Sequence, residues 1–129
     1  MMKTLFLQPP SFDGFDGGAG SRYQAKREIK SFWFPTWLAQ PAALVPGSKL
    51  IDAPPARIGL EEVVRQIGEY ELCIIHTSTP SFASDVKVAE ALKKANPSLK
   101  IGMVGAKVAV QPAESLAQGA VIDFVARNE

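Results

Sequence analysis

Four hydroxyl side chains crowd into one pentapeptide, Thr77-Ser78-Thr79-Pro80-Ser81. It directly follows an apolar run that ends in the only histidine, His76. Hydroxyls and turn N–H groups can hydrogen-bond the polar edge of a bound molecule. The same residue types also build strand-to-helix turns, where they bond their own backbone. The residues alone leave both readings open. His76 has the side chain for proton transfer or metal ligation. No acid, base or nucleophile pairs with it in sequence, so it reads as a buried, hydrogen-bonded strand histidine. Cys73 lies inside the apolar run and reads as core. The sequence therefore assigns no catalytic and no metal-ligating residue.

Three other features carry weaker signals. Gly105 would let a ligand approach the backbone, or would simply make a turn. Lys107 is a ligand contact or a solvated surface lysine. Phe32-Trp33-Phe34-Pro35-Thr36-Trp37 is rich in rings. These rings either cover a flat cofactor or another domain, or pad the sheet face. The run from Gly14 to Gly20 lacks the Gly-Lys-Ser/Thr ending of a phosphate loop and is not read as one.

Composition narrows the function classes. The chain has 129 residues, 47% of them hydrophobic and 21% charged. That is one globular domain rather than a disordered segment. A formal charge of +1 gives no one-signed field, which argues against a nucleic-acid partner. No apolar run reaches the roughly 20 residues of a membrane helix. No secretory cleavage pattern follows Met1, so a cytoplasmic location is expected. One cysteine excludes an internal disulfide and a cysteine-built cluster within this chain.

The elements that must position these residues alternate. Strands are expected at residues 4–8, 49–53, 72–77, 100–104 and 121–126. Leu60, Val63, Val64, Ile67 and Tyr70 recur at helical spacing. A second helix is expected from a Ser84 cap to Ala95, stopped by Asn96-Pro97. Asp85 is expected to favour its dipole. A third runs from Pro112 to Gly119. Another starts near Pro35 or Thr36 and runs to about Val45, kinked or shortened by Pro41. Pro54-Pro55 is read as a strand stop. Such alternation predicts an α/β fold: a doubly wound, five-stranded parallel sheet of flavodoxin-like order 2-1-3-4-5. Residues 9–48 form an unusually long first crossover, and long connections are often functional.

In such sheets ligands bind beyond the carboxyl ends of the strands. That rim collects Pro9, Pro10, Ser11 and Phe12 after the first strand, and Thr77 to Ser81 after the third. Gly105, Ala106 and Lys107 follow the fourth, and Arg127 and Asn128 the fifth. Pro35 and Trp37 join them from the aromatic segment. The set suits a large planar or amide-rich ligand.

In order along the chain, the segments are similar to a known family. Leu5-Phe6-Leu7-Gln8-Pro9-Pro10-Ser11 resembles the opening strand and turn of the cobalamin-binding domain of B12-dependent radical SAM enzymes. Phe34-Pro35-Thr36-Trp37-Leu38-Ala39 resembles that family's entry to its first helix. Leu50-Ile51-Asp52-Ala53 resembles its second strand, and Ile75-His76-Thr77-Ser78-Thr79-Pro80-Ser81-Phe82 its third strand and hydroxyl-rich loop. Ala95-Asn96-Pro97, Val104-Gly105 and Asp123 to Glu129 follow in order. Within the family the likeness is greatest to the hopanoid-biosynthesis-associated radical SAM protein, a relative of anaerobic magnesium-protoporphyrin monomethyl ester cyclase. The resemblance implies a B12-binding-domain fold and cobalamin as cofactor. It implies a radical SAM barrel in cis, with a [4Fe-4S] cluster and S-adenosylmethionine, beyond Glu129. Thr77, Ser78, Thr79 and Gly105 would border the nucleotide tail. The first-strand loop and the aromatic segment would border the corrin. The Asp-x-His-x-x-Gly signature is absent, which implies a base-off corrinoid without histidine ligation. Lys107 stands where the family's Gly-Gly-Pro-His has its histidine.

A second reading is a degenerate flavodoxin-like scaffold or docking domain that binds no B12. A phosphoacceptor receiver needs acids at the strand ends, and the first strand ends in Gln8-Pro9-Pro10.

Overall fold

The computed structural model describes residues 2–10 and 35–127. The readings placed on Ser11, Phe12, residues 13–34 and Asn128 lie outside the described residues.

Five strands form one all-parallel sheet: β1 (Thr4–Gln8), β2 (Lys49–Asp52), β3 (Leu72–His76), β4 (Lys100–Val104) and β5 (Phe124–Val125). Their order is β2-β1-β3-β4-β5, the flavodoxin-like order. Chain direction across the sheet therefore reverses between β1 and β3, the switch point.

Alternate residues of each strand point to opposite faces. On one face Leu5, Leu7, Cys73, Ile75, Ile101 and Met103 are buried in a single apolar core. Helices α3 (Leu60–Gln66) and α4 (Phe82–Ala95) contribute Val63, Val88, Ala89 and Leu92 to it. Asn96 ends α4, and its amide donates to the carbonyls of Ile67 (3.1 Å) and Tyr70 (2.9 Å). One asparagine thus stops the helix and fastens it to the turn after α3. On the other face the register aligns Leu50, Phe6, Ile74, Gly102 and Phe124 in one row. The next row, at the carboxyl ends, follows the same register: Asp52, Gln8, His76, Val104 and Ala126. Gly102 leaves room for the Phe124 ring, which a side chain there would strike. Helix α1 (Thr36–Leu44) packs on β1 and β2.

Several elements depart from the sequence-based expectation. Helix α4 begins at Phe82, not after Ser84, with Ser81 in the cap position. Phe82 is buried in the core, which draws the first turn inward. Pro54 and Pro55 do not simply stop β2; they sit in a one-turn helix, α2 (Ala53–Ala56), where proline is tolerated at the first positions. Helix α1 runs through Pro41 to Leu44. Ala106 to Val110 forms a short helix, α5, for which the sequence pattern predicts no element. Helix α6 (Pro112–Gln118) opens on its proline as expected. Strand β5 is only two residues long. The Asp123 side chain, rather than another ladder rung, takes the Ile101 N–H at 2.8 Å. That carboxylate also accepts from Lys93 at 2.7 Å.

Candidate functional site

A cleft of about 1180 Å³ opens on the second sheet face, at the carboxyl ends of the strands. Phe6, Ile74, His76 and Val104 floor it. Helix α1 forms one wall through Trp37, Gln40, Pro41 and Leu44. Thr77, Ser78, Gly105, Ala106 and Ala109 close the loop end, and Ala126 and Arg127 complete the rim. The cleft lies beside α1 and over β1, β3 and β4, so it includes the switch point. Small side chains along α5 and the β4–α5 turn keep that end open.

The floor has one polar spot. His76 is buried, and its Nδ1 lies 3.1 Å from the Gln8 side-chain oxygen. The two residues are neighbours across the β1–β3 ladder, which fixes the pairing. Burial pushes the imidazole down to about pH 4, so it is neutral at pH 7.

The hydroxyl-rich loop is held from below. Asp85, in the first turn of α4, is 2% exposed. Its Oδ2 accepts from the Thr77 hydroxyl at 2.7 Å and from the Ser81 hydroxyl at 2.8 Å. Ser78 meets Ser81 through both its hydroxyl (2.8 Å) and its backbone N–H (3.2 Å). Desolvation raises the Asp85 carboxyl to about 7, against the opposing pull of the Thr77 and Ser81 bonds. Asp85 thus sits in the first turn of α4, where the helix dipole favours an acid, and is at the same time a buried anchor for the loop.

Gly105 has φ +121°, a backbone region that side chains rarely adopt. A Cβ there would also collide with the Thr77 carbonyl and the His76 ring. The turn itself therefore demands glycine.

The expected site residues divide into groups. Trp37, Thr77, Ser78, Gly105, Ala106 and Arg127 come together around the cleft. Pro9 and Pro10 are buried and are not part of its lining. Thr79 and Pro80 are exposed and do not line it, and Ser81 is buried without lining it. Pro35 precedes α1 without lining the cleft. Lys107 lies over the Phe82 ring, with Nζ 5.4 Å from its centre.

The sequence reading missed the floor. Composition marks Phe6, Ile74 and Val104 only as ordinary strand positions, yet strict alternation puts them opposite the core residues. That alternation was the available signal. Gln40 and Leu44 could have been found from the face of α1 that Trp37 and Pro41 mark. Among the described residues, no group of three histidine, cysteine or acidic side chains is placed to hold a metal ion. No helix among them is long and apolar enough to cross a membrane. Compared with protein-family models, curated proteins and solved structures, the chain matches none.

Proposed function

We propose that this domain is a cofactor-binding module whose cleft takes a corrinoid, with the flat nucleotide end of cobalamin inserted against the sheet face. One observation carries the reading. A cleft of about 1180 Å³ lies at the switch point, floored by Phe6, Ile74 and Val104 and edged by Gly105, Ala106 and Ala109. Flat, apolar ligands with a few polar edges favour such a site. The residues fit the group in chemistry. An aromatic base would lie on an apolar floor, amide edges would meet Ser78 and Gln40, and a phosphate would meet Arg127. A corrin encloses its cobalt equatorially, so the site need not assemble a metal cage from side chains. Trp37, 63% exposed on the rim, supplies a flat surface toward the macrocycle.

The domain alone performs no chemistry in this account. The resemblance to B12-dependent radical SAM enzymes would put it in cis with a radical SAM barrel, which would carry the [4Fe-4S] cluster and S-adenosylmethionine. Hopanoid side-chain biosynthesis is the pathway that the resemblance favours. A cytoplasmic location belongs to the same proposal.

The test is retention of hydroxocobalamin. The 129-residue chain is mixed with it, passed through gel filtration and examined for corrinoid absorbance. Coelution supports the reading, and corrinoid-free protein counts against it. The alternative is a docking scaffold. It is favoured by Trp37 and Leu44, 63% and 83% exposed on the same rim, and by a Gly105 that the turn already explains.

A further inference from the structure

Hydrogen-bond direction at the loop end of the cleft can be followed atom by atom. A hydroxyl carries one proton and accepts up to two hydrogen bonds. The Ser81 hydroxyl spends its proton on Asp85 Oδ2, at 2.8 Å. The 2.8 Å contact between Ser78 and Ser81 is therefore donated by Ser78. The Ser78 backbone N–H also goes to the Ser81 oxygen, at 3.2 Å. Ser81 then gives one bond and receives two, which fills its capacity. Thr77 donates its hydroxyl to Asp85 at 2.7 Å and its N–H to the Val104 carbonyl at 2.9 Å. Every donor of Thr77 and Ser78, the two loop residues that line the cleft, is thus directed into the protein.

We propose that Ser78 reads the ligand as a hydrogen-bond acceptor, so that this end of the cleft takes an amide N–H or a hydroxyl and turns away phosphate and carboxylate oxygens. The inference rests on the cleft being a ligand site, but not on the ligand being a corrinoid. Ser78 has only lone pairs left to offer. An oxyanion there would meet those lone pairs, with the Asp85 carboxylate one relay behind them. The hydroxyl-rich loop, which in sequence resembles a donor-rich cradle, has the opposite polarity.

The polarity depends on the charge of Asp85. A proton on Asp85 lets the relay run outward, with the carboxyl donating to Ser81, Ser81 to Ser78, and Ser78 into the cleft. Charged and titratable groups on the surrounding elements are Cys73 and His76 on β3, Lys49 and Asp52 on β2, Lys100 on β4, Arg57 after α2, Glu61, Glu62 and Arg65 on α3, Glu69 in the turn after it, Lys107 on α5, and Lys87, Glu90, Lys93 and Lys94 on α4 itself. None is a cause of the Asp85 shift, which is desolvation opposed by the two hydroxyl bonds. The relay therefore answers to Asp85 itself.

Three probes of one shape test this: benzamide, N,N-dimethylbenzamide and benzoate. Each is titrated into the whole chain and followed through backbone amide shifts. At pH 8.5, benzamide should move the Ser78 and Ser81 signals and bind about fivefold tighter than its dimethyl analogue, the value of one hydrogen bond. Benzoate should bind weakest. Ser78→Ala should erase the preference. Ser81→Ala releases the Ser78 proton and should narrow it while the spectrum stays dispersed. At pH 6 the preference should narrow in the native chain but not in Asp85→Asn. Equal or tighter binding of the dimethyl analogue or benzoate overturns the inference. So does a preference that survives Ser78→Ala, or the absence of any loop shift with all three probes. Failure to retain hydroxocobalamin while the amide preference holds would remove only the corrinoid reading.

Discussion

The two faces of the sheet are made by the same strands and differ in every other residue. On one face Leu5, Leu7, Ile75, Ile101 and Met103 are fully buried under α3 and α4. On the other, Phe6, Ile74 and Val104 floor a cleft, with α1 packed on β1 and β2. The closed face has the continuous packing that stabilises a domain. The open face carries small residues, a buried His76–Gln8 pair and a loop tethered to Asp85. The packed core and the cleft are thus separated by strand alternation, and substitutions on the two faces should have separable effects.

The largest effect is expected on the closed face. Leu92→Ala or Ile101→Ala, both at fully buried sites, should cost about 2–5 kcal/mol in urea unfolding. Ile74→Ala, on the half-buried floor, should cost under about 2 kcal/mol and should weaken ligand binding instead. Equal losses on both faces would break the comparison.

The rim turn comes next. Gly105→Ala forces a Cβ into a left-handed backbone position against the Thr77 carbonyl. A loss of about 1–3 kcal/mol is expected. Unchanged stability would show that the turn does not need glycine.

Acid titration sharpens the contrast between two buried groups. The Asp85 carboxyl is raised from 3.8 to about 7. Between those values the folded chain holds a proton that the unfolded chain has released, so its contribution to stability falls as pH rises. His76 is lowered from 6.5 to about 4. There the unfolded chain holds the extra proton, so its contribution rises with pH over that window. The two oppose each other between about pH 4 and 6.5. Asp85→Asn should leave a stability that climbs with pH, and His76→Gln one that declines. Each slope is at most about 1.4 kcal/mol per pH unit. Urea midpoints across this range check the signs.

The smallest effect on folding is expected at Trp37. It is 63% exposed, and Trp37→Ala should change stability by less than about 0.5 kcal/mol. Corrinoid binding should weaken about tenfold if the indole faces the macrocycle.

Much of the fold was legible because it depends on local pattern. The near-continuous apolar run at β3 and the Asn96-Pro97 stop gave the β-α-β order directly. Helix α5 was not legible. Five residues of Ala, Lys and Val after a glycine carry no period long enough to read, and the turn geometry at Gly105 decides them. The β5 end was overextended because Asp123 looks like a strand residue until its carboxylate is seen to take the Ile101 N–H. Of the site, the rim was legible from strand ends and the floor was not. Thr77 and Ser78 announced themselves by composition. The direction of their hydrogen bonds depends on Asp85, whose place in the first helical turn is legible in sequence but whose burial beneath the loop is not.

The central claim is that the open face, and not the core face, receives a corrinoid. Backbone amide shifts recorded as hydroxocobalamin is added to the full chain test it most directly. The account predicts shifts at Phe6, Ile74, Ser78, Gly105, Ala106 and Ala109, with Val63, Val88 and Leu92 unmoved. A spectrum unchanged at saturating cofactor, or shifts confined to α3 and α4, would contradict it.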